Sequence, residues 1–274
     1  MGRAHALALA ARGCRVLVND LGVAAQATVD DILAHGGTAI ADTSDITDAS
    51  AVAAMVGSAM SAWGRIDILI NNAGILRDKS FAKQTPAMFD AVFDVHVRGS
   101  WNCTQAVWDI MREQAYGRIL FTTSSSGLYG NFGQANYAAA KSAMIGLMNT
   151  LHIEGAKYGI RVNCLAPAAA TRMTEDLLPV EALDRLSPET VAPGAVFLVS
   201  QQAPSRCILG AGAGVFSVVR IEETPGLALG AHVSAEDIAQ HWTEISTQSG
   251  AQPLAAAWAQ TQKFVALASG SNPE

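Results

Sequence analysis

The sequence predicts an α/β fold in which one doubly wound parallel sheet carries helices on both faces. Helical and strand-like segments alternate from residue 3 to about residue 205. This alternation is typical of parallel sheets, because each strand needs a crossover to reach the next. The length of 274 residues suits a single domain, and a domain of this size buries roughly three quarters of its unfolded surface.

Short apolar segments, several of them rich in β-branched residues, predict the strands. The first segment, CRVLVND, ends in Asp20. The glycine-rich run at 208–223 predicts a turn followed by a last strand. The strands predicted before that turn lie at 14–20, 38–42, 65–74, 117–125 and 159–167.

Longer segments with helical spacing predict the helices. Ser187 followed by Pro188 predicts a helix start, since serine caps a first turn and proline fits its first position. We expect that helix to run toward Leu198. The other helices predicted before residue 205 lie at 3–12, 24–35, 48–63, 86–112 and 134–157.

The chain changes character after about residue 205. Ser234 begins a predicted helix that extends to residue 246, and the alanine-rich stretch 252–268 predicts another. We therefore predict a catalytic domain at 1–220 and a helical C-terminal extension at 221–274.

Charge and composition exclude several classes of function. The net charge of −6 argues against a nucleic-acid-binding protein, which needs a basic stripe on its surface. No run approaches the ~18 apolar residues of a membrane span, and the apolar run at the start is too short for a signal peptide. The cysteines form no CxxC pair or histidine cluster, so we expect no metal site and reduced thiols in a cytoplasmic protein. They are Cys14, Cys103, Cys164 and Cys207.

Ser124, Tyr137 and Lys141 are the strongest candidates for chemistry. Tyr137 and Lys141 lie four positions apart on a predicted helix and therefore share one face. Ser124 lies at the carboxyl end of a predicted strand, where open α/β sheets place their ligands. In this hypothesis Tyr137 is the general base on a secondary alcohol and Ser124 holds the same oxygen. The alternative is a surface pair that occurs by chance.

The electrostatic effect of Lys141 on Tyr137 is large enough to matter. A unit charge at ~4 Å in an effective dielectric near 20 contributes about 4 kcal/mol, or roughly 3 pKa units. We therefore expect Lys141 to lower the pKa of Tyr137 toward neutrality.

These residues and their context resemble the short-chain dehydrogenase/reductase family. The resemblance is carried by NNAG at 71–74, Ser124 and YxxxK at 137–141, and it covers residues 1 to about 220. It implies a Rossmann-type sheet and an oxidoreductase acting on CH–OH groups. Longer runs are similar to the (3R)-hydroxyacyl-CoA dehydrogenase branch, found in peroxisomal multifunctional enzymes type 2 and bacterial relatives. These runs are NDLG (19–22), NNAGILRDKSFAK (71–83), YGRI (116–119), SGLYGNFGQANYAAAK (126–141) and APAAATRMT (166–174).

The resemblance implies NAD as the cofactor. Asp20 would accept hydrogen bonds from the adenosine ribose and repel the 2′-phosphate of NADP. Lys141 would also hold the nicotinamide ribose, and Thr171 or Thr174 the carboxamide. The full set of implied cofactor-binding residues is Gly2, Asp20, Asp45, Ile46, Asn72, Ala73, Gly74, Tyr137, Lys141, Pro167 and Thr171.

Two features depart from the family pattern. The family's fourth catalytic residue is an asparagine, and His96 stands at that position. An imidazole both donates and accepts hydrogen bonds, so His96 is a candidate catalytic residue; the alternative is a packed core histidine.

The second departure lies at the start of the chain. Gly2 matches the last glycine of the family's TGxxxGxG loop, and the first strand and earlier glycines are absent. A central strand contributes on the order of 10 kcal/mol, comparable to the stability of a whole domain. We therefore expect a natural protein longer by one strand and loop, and a chain beginning at Met1 to fold poorly and bind NAD weakly.

Three functions remain open from the sequence. The first is oxidation of a (3R)-3-hydroxyacyl-CoA, with Arg77, Lys79 and Lys83 as candidate contacts for the CoA phosphates. The second is dehydrogenation of a steroid, another alcohol or an acyl-carrier-protein thioester. The third is a catalytically silent subunit that binds a partner. The resemblance also implies a homodimer or homotetramer joined through the helices at 86–112 and 134–157.

Overall fold

The computed structural model describes residues 1–170 and 185–270. Contacts divide the chain into two units, Met1–Val218 and Val219–Glu274. Parallel strands form the centre of the first unit, as the alternation of segments predicts. The strands are β1 (Arg15–Asn19), β2 (Thr38–Asp42), β3 (Ile68–Asn71), β4 (Gly117–Thr122), β5 (Ile160–Pro167), β6 (Ile208–Gly212) and β7 (Val215–Val219).

The strands form two sheets. β1 pairs with β2, and the second sheet has the order β3-β4-β5-β6-β7. Four strand pairs are parallel: β1–β2, β3–β4, β4–β5 and β5–β6. β1 and β3 are therefore edge strands, and within the described ranges no strand lies between them.

The apolar core lies around β4 and β5. Every residue of β4 is buried, whereas β1 and β3 are only partly buried. Val16 of β1 and Ile70 of β3 pack against one apolar cluster that includes Leu120 and Leu165. The two sheets thus share a core although their strands do not pair.

Helices cover the sheets, and some of them begin at polar side-chain caps. The Asp48 carboxylate accepts from two backbone amides of the first turn of α3, and Thr85 precedes a proline at the start of α4. The helices of the first unit are α1 (Gly2–Ala10), α2 (Ala24–Ala34), α3 (Ala49–Trp63), α4 (Pro86–Phe93), α5 (Gly99–Glu113), α6 (Ser125–Tyr129), α7 (Ala135–Gly155) and α8 (Ala192–Leu198).

Several predicted boundaries need correction. A π-helical segment, Asp94–Arg98, joins α4 to α5 within the predicted helix at 86–112. The run read as a glycine-rich turn contains β6, because its backbone continues the ladder of β5 from Cys164 onward. Ser187 caps a short 3-10 turn, Pro188–Thr190, and α8 follows that turn as a separate helix.

The described part of the second unit, up to residue 270, contains the helices α9 (Ala235–Gln240), α10 (Trp242–Ile245) and α11 (Ala257–Ala268). The helix predicted at 234–246 is thus two helices, and the helix predicted at 252–268 begins at Ala257. A reciprocal cap between Ser234 and Asp237 starts α9. Glu223 forms an ion pair with Lys263 of α11. Among the described helices of both units, none is long and apolar enough to cross a membrane.

Candidate active site

Ser124 lies just beyond the carboxyl end of β4. Its backbone is extended, and it caps α6 because its Oγ accepts a hydrogen bond from the Ser126 amide at 3.2 Å. The strand positions this hydroxyl, and the cap fixes its rotamer. The Oγ hydrogen is not used in that contact, and this hydroxyl also forms a hydrogen bond with the Tyr137 phenol.

Tyr137 and Lys141 lie one turn apart near the start of α7. Lys141 is only 4% exposed, and its Nζ donates to the Thr122 carbonyl at 2.7 Å. The Thr123 hydroxyl donates to the Lys141 carbonyl at 2.8 Å, which ties α7 to the end of β4. The Lys141 Nζ lies 5.6 Å from the centre of the Tyr137 ring. The structure thus brings together the three residues that the sequence predicts as a group.

The electrostatics of this group differ from the sequence-based expectation. Burial raises the pKa of Tyr137, a hydrogen bond from the Ser124 hydroxyl opposes the rise, and the Asp78 charge adds to it. Burial also lowers the pKa of Lys141 to about 7. The expected fall in the pKa of Tyr137 is therefore wrong for this structure. The physical reason is that desolvation dominates and the ammonium is turned onto the Thr122 carbonyl.

His96 lies in the π-helical segment, a geometry that often marks functional sites. It is 2% exposed, and its Nε2 lies 2.9 Å from the Ile75 carbonyl oxygen and 3.1 Å from the Ile75 amide nitrogen. Its ring meets the Tyr137 ring edge to face, with centroids 5.3 Å apart. Burial and the Lys141 charge lower the pKa of His96 to about 3, so the imidazole is neutral at physiological pH. His96 therefore packs against the Tyr137 ring and bonds the Ile75 backbone, which restricts the movement of both.

Gly74 has a packing role in addition to the cofactor role that the sequence suggests. A Cβ at this position would lie 2.2 Å from Cε1 of His96. His96 cannot yield easily, because it is buried and bonded to Ile75. Gly74 is therefore required by the imidazole that packs against it.

Gly74→Ala is expected to destabilise the fold by about 1–3 kcal/mol, the usual effect of overpacking a filled core. Gly57→Ala is the matched control, since a Cβ there meets nothing within 4 Å on helix α3. That change is expected to stabilise by up to ~1 kcal/mol. Urea unfolding of both variants measures the difference, and equal stability of the two would contradict the packing argument.

The predicted cofactor residues lie near strand ends. The Asp20 carboxylate is exposed and accepts from the Gly22 amide at 3.0 Å. Gly2 lies against Asn72, because a Cβ on Gly2 would come within 3.0 Å of the Asn72 Nδ2. Asp45 follows β2 and accepts from the Thr47 amide at 2.8 Å.

The remaining predicted positions are distributed as follows. Ile46 packs against Gly99 at the start of α5, and Ala73 is exposed beside Gly74. Pro167 ends β5. The predicted positions Thr171 and Thr174 lie outside the described residues.

Sequence reasoning missed a buried polar network beside Tyr137. Gln134, Asn136 and Ser126 are all buried, and none was predicted as a site residue. Gln134 hydrogen-bonds Ser126 and Asp78, and the Asn136 Nδ2 donates to the Arg77 carbonyl at 3.0 Å. The only signal in the sequence is a pair of amide side chains immediately before Tyr137.

Comparison with known proteins decides the family. The pattern of the short chain dehydrogenase family matches residues 1–181. A short-chain type dehydrogenase/reductase of Mycobacterium tuberculosis is 41% identical over 263 residues, which are 92% of each chain. The chain belongs to the short-chain dehydrogenase family. It is therefore an oxidoreductase, with the α/β Rossmann fold of that family.

A more specific likeness links this short-chain dehydrogenase to peroxisomal enzymes. Peroxisomal multifunctional enzyme type 2 of Mus musculus is 42% identical over 92% of this chain and 36% of the mouse enzyme. The solved full-length enzyme of that name from Drosophila melanogaster superposes with a TM-score of 0.84 at 34% identity, covering 98% of this chain and 47% of the fly chain. The chain thus spans less than half of these two enzymes, and activities of their other parts do not transfer to it.

A third solved relative carries ligands. A 7α-hydroxysteroid dehydrogenase in complex with NADH and a 7-oxo bile acid superposes with a TM-score of 0.72 at 31% identity, covering 78% of this chain and 89% of that one. The predicted resemblance to the short-chain dehydrogenases is confirmed. The predicted assembly through α4, α5 and α7 stays a prediction, although Phe89, Trp101 and Ile153 expose apolar side chains on these helices.

Proposed function

We propose that this short-chain dehydrogenase oxidises a secondary alcohol with NAD and that its substrate is a (3R)-3-hydroxyacyl-CoA. The observation that carries the proposal is the convergence of Ser124, Tyr137 and Lys141 at the end of β4. A hydroxyl and a phenol that share a hydrogen bond are suited to hold one carbinol oxygen from two sides.

The chain's own groups supply the acid–base part of the reaction. Ser124 orients the alcohol oxygen, and Tyr137 takes its proton as a phenolate. For this phenolate to form, the Lys141 ammonium must offset the desolvation that raises the pKa of Tyr137. NAD, when bound, would supply the acceptor for the hydride of the carbinol carbon. The protonated form of Lys141 stabilises the phenolate. This ammonium is partly populated at neutral pH, because the pKa of Lys141 is about 7. Neutral His96 holds the Tyr137 ring in place and takes no proton at physiological pH.

The residues present fit NAD. The Asp20 carboxylate is exposed and oriented by the Gly22 amide, as a group that accepts from ribose hydroxyls must be. Its negative charge disfavours the additional phosphate of NADP. The Lys141 ammonium uses one of its three N–H groups on Thr122 in the contacts of the described residues, so donors remain for a ribose.

Cationic groups next to the site support a CoA thioester. Arg77, Lys79 and Lys83 are exposed on the segment that follows β3. This segment is held beside the catalytic helix, because the Lys79 amide donates to the Gly133 carbonyl at 3.0 Å. The charges therefore lie where the phosphates of a bound thioester can meet them. Three alternatives remain: a steroid substrate, an acyl-carrier-protein thioester and a catalytically silent subunit. The assay described next tests thioesters and a steroid, and it detects a silent subunit by the absence of NADH formation.

The experiment follows NADH formation with (3R)- and (3S)-hydroxybutyryl-CoA and longer acyl chains. We expect turnover of the 3R isomers with NAD, and roughly 100-fold lower kcat/KM with NADP, equivalent to one unpaired charge of about 3 kcal/mol. Turnover of a 7-hydroxysteroid but of no thioester would refute the hydroxyacyl-CoA proposal and favour the steroid alternative. Absence of NADH formation with every alcohol, together with capture of a protein partner, would favour the silent subunit.

A further inference from the structure

The side chain of Gln134 joins three segments of the active site. It is 6% exposed and immediately precedes α7. Its Oε1 accepts from the Ser126 hydroxyl at 2.7 Å and from the Asn131 Nδ2 at 3.0 Å. Its Nε2 donates to the Asp78 Oδ2 at 2.7 Å. Both ends of this amide therefore have partners, and those partners fix which end is which.

Gln134 is connected to the two catalytic turns by one contact of its side chain and one of its backbone. Ser126 is the residue whose amide donates to the Ser124 Oγ at 3.2 Å. The backbone carbonyl of Gln134 accepts from the Ala138 amide at 2.7 Å, in the first turn of the helix that contains Tyr137. Gln134 is thus bonded to the turn that holds the hydroxyl and to the turn that holds the phenol.

The segment that carries Asp78, the remaining partner of the Gln134 side chain, is anchored independently. The segment that contains Asp78 is held to α7 without Gln134, because the Asn136 Nδ2 donates to the Arg77 carbonyl at 3.0 Å. The Gln84 Nε2 donates to the Asn136 Oδ1 at 3.2 Å. The backbone beside Asp78 is therefore anchored to α7, and the exposed Asp78 carboxylate reaches Gln134 from this anchored segment.

We propose that Gln134 is a positioning residue that holds Ser124 and Tyr137 at the spacing needed to grip one carbinol oxygen, with Asp78 as its anchor. The inference rests on the proposed alcohol dehydrogenation. Gln134 touches neither substrate nor cofactor in this role and acts through the two turns that it joins. The groups that face Tyr137 are Ser124, His96, Lys141 and Asp78.

The chemistry of the amide gives a test with rescue. Gln134→Glu keeps the acceptor toward Ser126 but directs a carboxylate at Asp78, where an N–H now donates over 2.7 Å. Two carboxylates repel at that distance. Adding Asp78→Asn restores a donor on the other side, so Q134E/D78N re-forms the contact with the direction of donation reversed.

We expect Q134E to lower kcat roughly 10- to 100-fold, the effect of misplacing reacting groups by about 1 Å, with a small change in the KM for NAD. The double variant Q134E/D78N is expected to recover most of the lost kcat. Gln26→Glu is the matched control, since the Gln26 Nε2 donates to the Asp30 carboxylate at 2.8 Å on the exposed surface of α2. That change creates the same carboxylate pair away from the site, and kcat is expected to stay within twofold.

Unchanged kcat in Q134E, or a double variant no more active than a folded Q134E, would overturn the inference. If Q134E does not fold, a folded and active Q134E/D78N still supports the pairing, and an inactive one refutes it. Crystal structures provide a readout that needs no substrate: the Ser124 Oγ to Tyr137 Oη distance should lengthen in Q134E and return in the double variant. An unmodified chain that oxidises another alcohol but no thioester therefore refutes the proposed substrate alone, and an unchanged distance refutes the positioning role alone.

Discussion

Replacing Tyr137 with phenylalanine is expected to lower kcat for alcohol oxidation by about 10²–10⁴-fold, the usual contribution of a general base. The phenylalanine keeps the ring that meets His96 edge to face and removes only the hydroxyl. Ser124 alone cannot take the proton, because a serine hydroxyl is a far weaker base than a phenolate. Steady-state rates with saturating NAD measure the loss, and the affinity for NADH, followed by its fluorescence, is expected to change little.

Tyr158→Phe is the control for this experiment. Tyr158 also has a hydroxyl with a hydrogen-bond partner, the Arg112 guanidinium at 3.1 Å, but it lies at the far end of α7. We expect its kcat to equal that of the unmodified protein. If Y137F retained activity within a few-fold of Y158F, Tyr137 would not be the base and the proposed mechanism would be wrong.

Lys141→Met is expected to inactivate the protein and stabilise its fold at the same time. Methionine fills a similar volume without carrying a charge into the core, whereas burial lowers the pKa of Lys141 from 10.5 to about 7. The unfolded chain therefore holds this proton more tightly than the folded protein. At 1.36 kcal/mol per pKa unit, folding with a charged Lys141 costs on the order of 5 kcal/mol.

The pH dependence follows from the direction of that shift. Between about pH 7 and 10.5 the unfolded state binds more protons at Lys141, so the stability of the unmodified protein rises with pH across this window. The cost is largest below about pH 7, where both states are protonated, and it vanishes above 10.5, where both are neutral. The advantage of K141M should therefore shrink by on the order of 3 kcal/mol between about pH 7 and pH 9.

Urea unfolding at the two pH values measures this change. Lys157→Met is the control, because Lys157 is exposed in the short turn that follows α7 and is not buried in the core. We expect its effect on stability to be the same at both pH values. A K141M advantage that is independent of pH would show that the Lys141 ammonium is not desolvated as the structure indicates.

Local patterns were sufficient to predict most strands and most helices of the first unit. The segment at 38–42 was predicted with the boundaries that the structure has. The spacing of Tyr137 and Lys141 placed both on one face of α7, since four residues make about one helical turn. The π-helical segment and β6 were missed because no local pattern signals them: one inserts a residue into a helix, and the other is a glycine-rich strand stabilised by β5.

The sequence by itself determined the fold class and indicated the candidate catalytic triad Ser124, Tyr137 and Lys141, because periodicity and spacing are properties of neighbouring residues. Only the tertiary structure decided what surrounds that triad. Gln134 reaches Asp78 across 56 positions and His96 reaches Ile75 across 21, and no local rule relates such positions. The tertiary structure also reversed the expected direction of the Tyr137 pKa, because burial removes water from the phenol and this desolvation outweighs the neighbouring ammonium.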